Sequence, residues 1–574
     1  MQKDAKAPAR LHVSLGQFSS AGRKSENQDF HGAILPEGRA LTLKGIALAI
    51  ADGISSSKVS AEAAETTVKS LLSDYYATPE SWTVKTAASR VISASNAWLH
   101  GRNAGLGDMD TGRVCTLSAM ILKGREAHLF HIGDSRIQRL VGKSLEPLTV
   151  DHRVRLSQDE SYLGRALGVE PNIEIDYRKL PLTLGDLFML STDGVHEVID
   201  GKDVLAALDA TETLEAAAQR LVEVALEKGS NDNLTVQLVR IDSLPEGGFD
   251  VEAVHLPIPR LPRDGDVIDG FRILRPIHAT ARSHVFLAID PEGNRVALKI
   301  PATETGADQA YLRRFMLEDW IARRIASPHV LRAAALPETR SALYVASEYF
   351  EGQTLRQWMV DHPRPDLVTV RQIAEQIASG LRAIHRREMV HQDIRPENIM
   401  IDAEGTVKII DLGSVSVAGV EEAAPGTLGE MPGTYQYTAP EYFTGDVLSW
   451  RSDQFALAAI VYEMLTGRLP YGTQVARIQS RRDQARLRYT SARDDDSAVP
   501  GWVDLALRRA SHPDPVLRYH ALSEFMADLK RPGAEWQAQT HRPLMARNPL
   551  RFWQGLSAAL GGICVILALR LIGG

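Results

Sequence analysis

At 574 residues the chain is too long for one hydrophobic core, and its length points to about three or four domains. A composition of 44% hydrophobic and 24% charged residues excludes wholesale disorder. The net charge of −7, without a long basic run, argues against nucleic acid as the main partner. The two cysteines, Cys115 and Cys564, exclude a disulfide framework or a cysteine zinc site and point to a reducing compartment.

The N-terminal stretch MQKDAKAPARLHVSLGQF has no apolar core of signal-peptide length. Short apolar runs ending in aspartate follow: GIALAIADG reaches Asp52 and Gly53, AHLFHIGDSR reaches Asp134, and LFMLSTDG reaches Asp193. Asp232 stands just before a further run, NDNLTVQLVRI. Each run has strand length, and helical stretches such as VSAEAAETTVKSLLSDYY lie between them, which predicts sheets with helices outside. Strands ending this way bring carboxylates to one sheet edge. Clustered carboxylates stay ionised only beside cations, and ligands that are all oxygen select Mg²⁺ or Mn²⁺ over zinc.

The motifs NQD (27–29), ADG (51–53), GDSR (133–136), STDG (191–194) and NDN (231–233) resemble the metal-dependent PPM-type protein phosphatases over about residues 10–242. The resemblance implies a β-sandwich flanked by helices. It implies that Asp52, Asp193, Asp232 and the Gly53 carbonyl hold the catalytic metals, Asp134 an additional one, and that Asp29 hydrogen-bonds metal-bound water. The chain departs from the pattern at Gln28, where the family has Glu, which should weaken metal occupancy. Lys24 stands where the family has a phosphate-binding Arg, with Arg23 beside it, so phosphate binding falls to one of these two. Ile54 replaces a His found in some relatives.

Residues 243–264 are punctuated by Pro and Gly without periodicity and are expected to form a linker. The run HQDIRPENIMIDAEGTVKIIDLG (391–413) then carries Asp393, Asn398 and Asp411. Phosphoryl transfer from a nucleotide needs a carboxylate at the acceptor hydroxyl, oxygen ligands for Mg²⁺ and a cation on the phosphates. The order of these residues resembles the catalytic and magnesium loops of Ser/Thr protein kinases. The likeness runs from Phe271 to about Lys530 within a bilobal domain expected over 265–533. It implies that Lys299 holds the ATP phosphates and pairs with Glu318, and that Glu348 and Phe350 offer hinge contacts to adenine. Asp393 would accept the hydroxyl proton, Asn398 and Asp411 would hold Mg²⁺, and Arg395 stands where the family has Lys. Thr434 would line the substrate site, and Thr427, Thr434, Ser414 and Ser416 are candidate phosphosites. Gln392 replaces the usual Arg, and His278, Thr280 and Ser283 replace the three glycines of the phosphate-covering loop, which should lower ATP affinity.

After a second linker (534–551), Phe552–Leu569 carries no charge and is followed by Arg570. A transmembrane helix is expected over 552–572, with Arg542, Arg547 and Arg551 keeping the preceding domains cytoplasmic at a bacterial inner membrane. The chain is thus expected to be an α+β multidomain enzyme. It would phosphorylate proteins on Ser/Thr with ATP and Mg²⁺, and hydrolyse phosphoSer and phosphoThr at a binuclear Mn²⁺ or Mg²⁺ site. Its targets would be Ser/Thr-containing and phosphorylated proteins, its own kinase domain among them. Two alternatives stay open: a phosphatase regulated by a nucleotide-binding pseudokinase, and a tethered scaffold with both sites inactive.

Overall fold

The computed structural model describes residues 10–106, 111–155, 161–245, 256–423, 436–493, 499–534, 536–537 and 549–572. They fall into two units, Met1–Val251 with Val417–Gly429, and Glu252–Ser416 with Glu430–Gly574. The candidate sites Thr427 and Thr434 lie outside the described residues.

Alternation along Ile46–Asp52 sets the architecture of the first unit. Ile46, Leu48 and Ile50 belong to one core cluster, while the small Ala47, Ala49 and Ala51 belong to another. Successive strand side chains face opposite ways, so large residues meet a second sheet and alanines meet helices. Each fully buried Leu or Ile contributes about 1.5–3 kcal/mol.

In chain order the strands are β1 (His12–Ser20), β2 (Asp29–Ile34), β3 (Ile46–Asp52), β4 (Leu117–Lys123), β5 (Glu126–Ile132), β6 (Arg136–Val141), β7 (Ser144–Pro147), β8 (Arg153–Arg155), β9 (Ser161–Leu163), β10 (Asp176–Pro181), β11 (Leu187–Ser191) and β12 (Leu234–Ser243). They form two five-stranded sheets, ordered β1-β12-β11-β6-β7 and β10-β5-β4-β3-β2, and a separate β8-β9 hairpin. Ile50, Met120 and Leu129 of one sheet pack with Ile137, Phe188 and Val239 of the other.

The unit's helices begin with α1 (Gly38–Lys44), α2 (Ser60–Ala77) and α3 (Val84–Asn103), followed by α4 (Asp193–His196), α5 (Gly201–Ala210) and α6 (Leu214–Glu227). Helices α2 and α3 cover one outer face of the sandwich, and α5 and α6 cover the other. This is the sandwich flanked by helices that the sequence led us to expect. The strand β12 runs through Ser243, one residue past the expected domain end.

The short helix Ala418–Ala423 belongs to this unit too. The Gly419 N–H donates to the Ser81 carbonyl at 2.9 Å. Fully buried Lys123 donates to the Gly419 carbonyl at 2.7 Å and to Glu422 at 3.0 Å.

The second unit opens with a five-stranded antiparallel sheet, β13 (Val267–Ile268), β14 (Phe271–Ala279), β15 (Ser283–Ile289), β16 (Arg295–Pro301) and β17 (Val345–Glu348), joined in chain order. Phe271, Phe286, Leu298 and Tyr344 build its core. The helix α7 (Gln309–Ala322) follows, capped by Asp308, whose side chain accepts the Tyr311 N–H.

A helical part comes next, including α8 (Leu355–Asp361) and α9 (Leu367–His385). With Ala418–Ala423 numbered α10, it continues through α11 (Trp450–Thr466), α12 (Arg481–Arg486), α13 (Gly501–Ala510) and α14 (Leu522–Lys530). Asp366 caps α9, and a Ser449/Ser452 capping box opens α11, which ends at left-handed Gly467. A last helix, α15 (Pro549–Ile572), contains the window Leu550–Leu567, long and apolar enough to cross a membrane and not buried.

Candidate active sites

In the first unit, β2 and β3 pair so that Asp29 lies opposite Asp52. Asp29 Oδ2 accepts from Thr192 at 2.9 Å and Thr235 at 2.7 Å, while its Oδ1 is buried without a hydrogen-bond partner. Burial lifts the Asp29 carboxyl to about 6. Asp52 is raised well above the carboxylate range by burial and then by Asp29, Asp193 and Asp134. Burial followed by Asp134 and Asp232 lifts Asp193 to about 7. The sandwich therefore gathers Asp29, Asp52, Asp134, Asp193 and Asp232 into one mutually repelling cluster at the strand ends. Gly53 closes the edge, where a Cβ would fall 2.6 Å from the Ser60 carbonyl oxygen.

Among the described residues, two side-chain cations enter this cluster. Lys24 bonds Asp232 at 2.7 Å and Ser55 at 2.6 Å. Arg23 turns instead to the Asn231 side chain at 2.9 Å and the Leu226 carbonyl. Of the two phosphate-binding candidates, Lys24 is the one bonded to a cluster carboxylate. The second cation, Arg153, was missed by sequence reasoning; it bonds Asp134, Asp193 and Glu197 at 2.7, 2.7 and 2.8 Å. Its run DHRVR carries no spacing that links it to the aspartates, so the sequence held no usable signal.

Gln28 has a structural use. Its side-chain amide donates to the Ser57 carbonyl at 2.7 Å and the Ser60 hydroxyl at 2.8 Å, and its backbone N–H donates to Asn233. An ionised glutamate could not donate to that carbonyl.

Among the described residues, no group of three or more His, Cys, Asp or Glu side chains is disposed as a metal cage. The donor chemistry nonetheless fits hard divalent ions. The cluster is carboxylate-rich, Asp29 Oδ1 is buried and unsatisfied, and burial plus mutual repulsion oppose its charge.

In the second unit, Lys299 on β16 bonds Glu318 on α7 at 2.7 Å and lies 3.8 Å from Asp411. Lys299 holds the Asp411 carboxyl below its ordinary range, and Asp411 accepts the Gly413 N–H at 3.0 Å. Asn398 donates to both the carbonyl and the carboxylate of Asp393, each at 2.9 Å, and burial lifts Asp393 to about 6. Arg395 bonds Glu397 at 2.8 Å and its charge also acts on Asp393.

The loop that carries Asp393 and Asn398 is pinned by α11. Asp453 on α11 accepts the backbone N–H groups of His391 and Gln392 at 2.8 and 2.9 Å, with Gln392 held at φ 68°. Arg518 grips Glu441 through two buried 2.7 Å bonds. Glu348 ends β17 and bonds Lys408, whose ammonium lies 5.2 Å from the Phe350 ring centre.

The loop between β14 and β15 differs from a phosphate cradle. Thr280 Oγ1 accepts the N–H groups of Arg282 and Ser283 at 3.2 and 3.0 Å, and the Thr280 N–H donates to the Ser283 carbonyl at 2.9 Å. The N–H groups of Thr280, Arg282 and Ser283 are thus already used within the loop.

Comparison with known proteins gives two family matches, "Protein phosphatase 2C" over residues 18–238 and "Protein kinase domain" over residues 274–527. Serine/threonine-protein kinase PknL of Mycobacterium tuberculosis is 30% identical over 305 residues, 52% of this chain and 74% of PknL. Serine/threonine-protein kinase PrkC of Bacillus subtilis is 31% identical over 266 residues, 45% of this chain and 40% of PrkC. The chain thus spans about two fifths of that relative. The solved S. agalactiae serine/threonine phosphatase is 25% identical and covers 40% of this chain and 100% of its own, with a TM-score of 0.35. The order of motifs, the two family matches and the PknL likeness agree: the chain belongs to the bacterial serine/threonine protein kinases and carries a protein phosphatase 2C domain ahead of its kinase domain.

Proposed function

We propose that the chain is a bifunctional enzyme, writing phosphate onto protein Ser and Thr with one domain and removing it with the other. The observation that carries the kinase half is the Lys299–Glu318 bond at 2.7 Å with Asp411 at 3.8 Å. In protein kinases this pair and the magnesium aspartate must both be in place. Lys299 would steady the ATP phosphates, and Asn398 and Asp411 would hold Mg²⁺. Asp393 would take the acceptor hydroxyl proton, its carboxylate oriented by Asn398. Glu348 and Phe350 would supply the backbone edge for adenine.

The carboxylate cluster supports the phosphatase half. Asp52, Asp193, Asp232 and the Gly53 carbonyl would hold Mn²⁺ or Mg²⁺. Bound there, the ions would supply an activated water and a clamp on the phosphoryl oxygens. Asp29, fixed by Thr192 and Thr235, would orient that water, and Lys24 would attract the substrate phosphate as a point charge.

The self-bonded Thr280 loop favours one second reading, a nucleotide-binding domain that does not transfer phosphate. The helix Pro549–Ile572 would anchor the chain in a bacterial inner membrane, with the arginines before it keeping both domains cytoplasmic.

Labelled ATP decides between the readings. Wild type, Asp193→Ala, Asp411→Ala and the double variant are compared for label retained on the protein. Label gained by Asp193→Ala and absent from the double variant supports both activities and self-dephosphorylation. No label in any form, with phosphopeptide hydrolysis intact, selects the second reading.

A further inference from the structure

The segment Asp151–Arg153 is anchored residue by residue beside the Asp134 turn. Arg136 grips Asp151 through Nε and Nη2 at 2.8 and 2.6 Å. His152 donates its N–H to the Gly133 carbonyl at 2.7 Å, and its Nδ1 accepts the Gly133 N–H at 3.0 Å. Gly133 has φ 107°, and a Cβ there would meet Thr116 at 2.6 Å, so only glycine allows this turn.

Arg153 is thereby delivered to the cluster by backbone geometry. Its Nε reaches Asp134 Oδ2 and its Nη2 reaches Asp193 Oδ2, both at 2.7 Å, while Nη1 reaches Glu197 at 2.8 Å. A guanidinium stays charged at any pH the fold survives, and its planar fork suits carboxylates. A divalent ion shared by Asp134 and Asp193 would have to displace two short charge-assisted bonds.

Resting on the metal-dependent reading of this domain, we propose that Arg153 is a built-in cation between Asp134 and Asp193, standing in place of an additional divalent ion. Asp134 is then a positioning residue that holds the arginine, and metal binding is confined to the inner carboxylates. Glu197, which is more exposed, closes the third side of the fork.

Counting Mn²⁺ bound to the full-length chain in detergent, by calorimetric titration and by manganese paramagnetic resonance, tests this. Arg153→Ala and the neutral but polar Arg153→Gln are each expected to bind one more ion than wild type at millimolar Mn²⁺. Adding Asp134→Asn should abolish the gain, while Arg153→Lys, which keeps the charge, should leave the wild-type count. Equal counts in wild type and both neutral variants would overturn the proposal, as would a wild-type ion lost on Asp134→Asn alone. The absolute wild-type count judges the binuclear reading separately. A wild type that binds no Mn²⁺ sinks that reading, while the one-ion difference still decides the role of Arg153.

Discussion

Thr280 shows how one hydroxyl changes what a loop can do. A phosphate-covering loop works by offering backbone N–H groups, and here the N–H groups of Arg282 and Ser283 are bonded to Thr280 Oγ1. Replacing Thr280 with Gly frees both amides, each bond being worth about 0.5–1.5 kcal/mol. The KM for ATP should fall by a factor of about 5–10 in steady-state kinetics. An unchanged or higher KM would show that the loop does not touch the nucleotide. Gln28 makes the opposite kind of case. Its amide donates to the Ser57 carbonyl in a buried setting, so Gln28→Glu sets two acceptors against each other. Without metal, that variant should lose about 1–3 kcal/mol in urea unfolding. The substitution visible in the sequence therefore reads as a compensated structural choice as well as a lost ligand charge.

At the scale of elements, legibility followed local pattern. The run GIALAIADG announces a strand buried on both faces, because its large and small apolar residues alternate. The Lys299–Glu318 pair was expected from motif order, and the structure brings the two together. Arg153 and the Thr280 turn were not legible, since side-chain bonds over such spacings follow from tertiary geometry and leave no periodic trace. The helix Ala418–Ala423 is another such element. Lys123 is fully buried, and its ammonium is bonded to the Gly419 carbonyl and the Glu422 carboxylate. Removing one partner of a buried charge pair typically costs about 3–5 kcal/mol. Glu422→Gln should therefore release this short helix before the sandwich itself unfolds. Hydrogen exchange reads the event directly, because the Gly419 N–H is bonded to the Ser81 carbonyl. Protection at Gly419 should drop by at least tenfold, and wild-type protection would refute the assignment.

For the whole molecule, the two units carry separate hydrophobic cores, as expected of domains that each hold a complete fold. The first unit also carries an acid liability in its core. Burial lowers His128 and His131 to about 4 and His196 to about 3, against an ordinary value of 6.5. A histidine that folds neutral binds fewer protons than its unfolded counterpart between its two values. The histidine contribution to stability therefore falls as pH drops from 6.5 toward 4, and is fully present above 6.5. At pH 5.5 the loss is on the order of 1 kcal/mol per histidine. The raised carboxyls of Asp29, Asp52 and Asp193 take up protons in the folded state over the same range and act in the opposite direction, so calorimetric unfolding at pH 7 and pH 5.5 reads the histidine part as a difference between wild type and a variant that lacks one imidazole. Replacing His128 with Gln removes one imidazole, so relative to wild type the variant should gain about 1 kcal/mol, a few degrees, on going from pH 7 to pH 5.5. A difference between wild type and variant that stays fixed over this range would mean that the His128 imidazole is solvated, contrary to its burial.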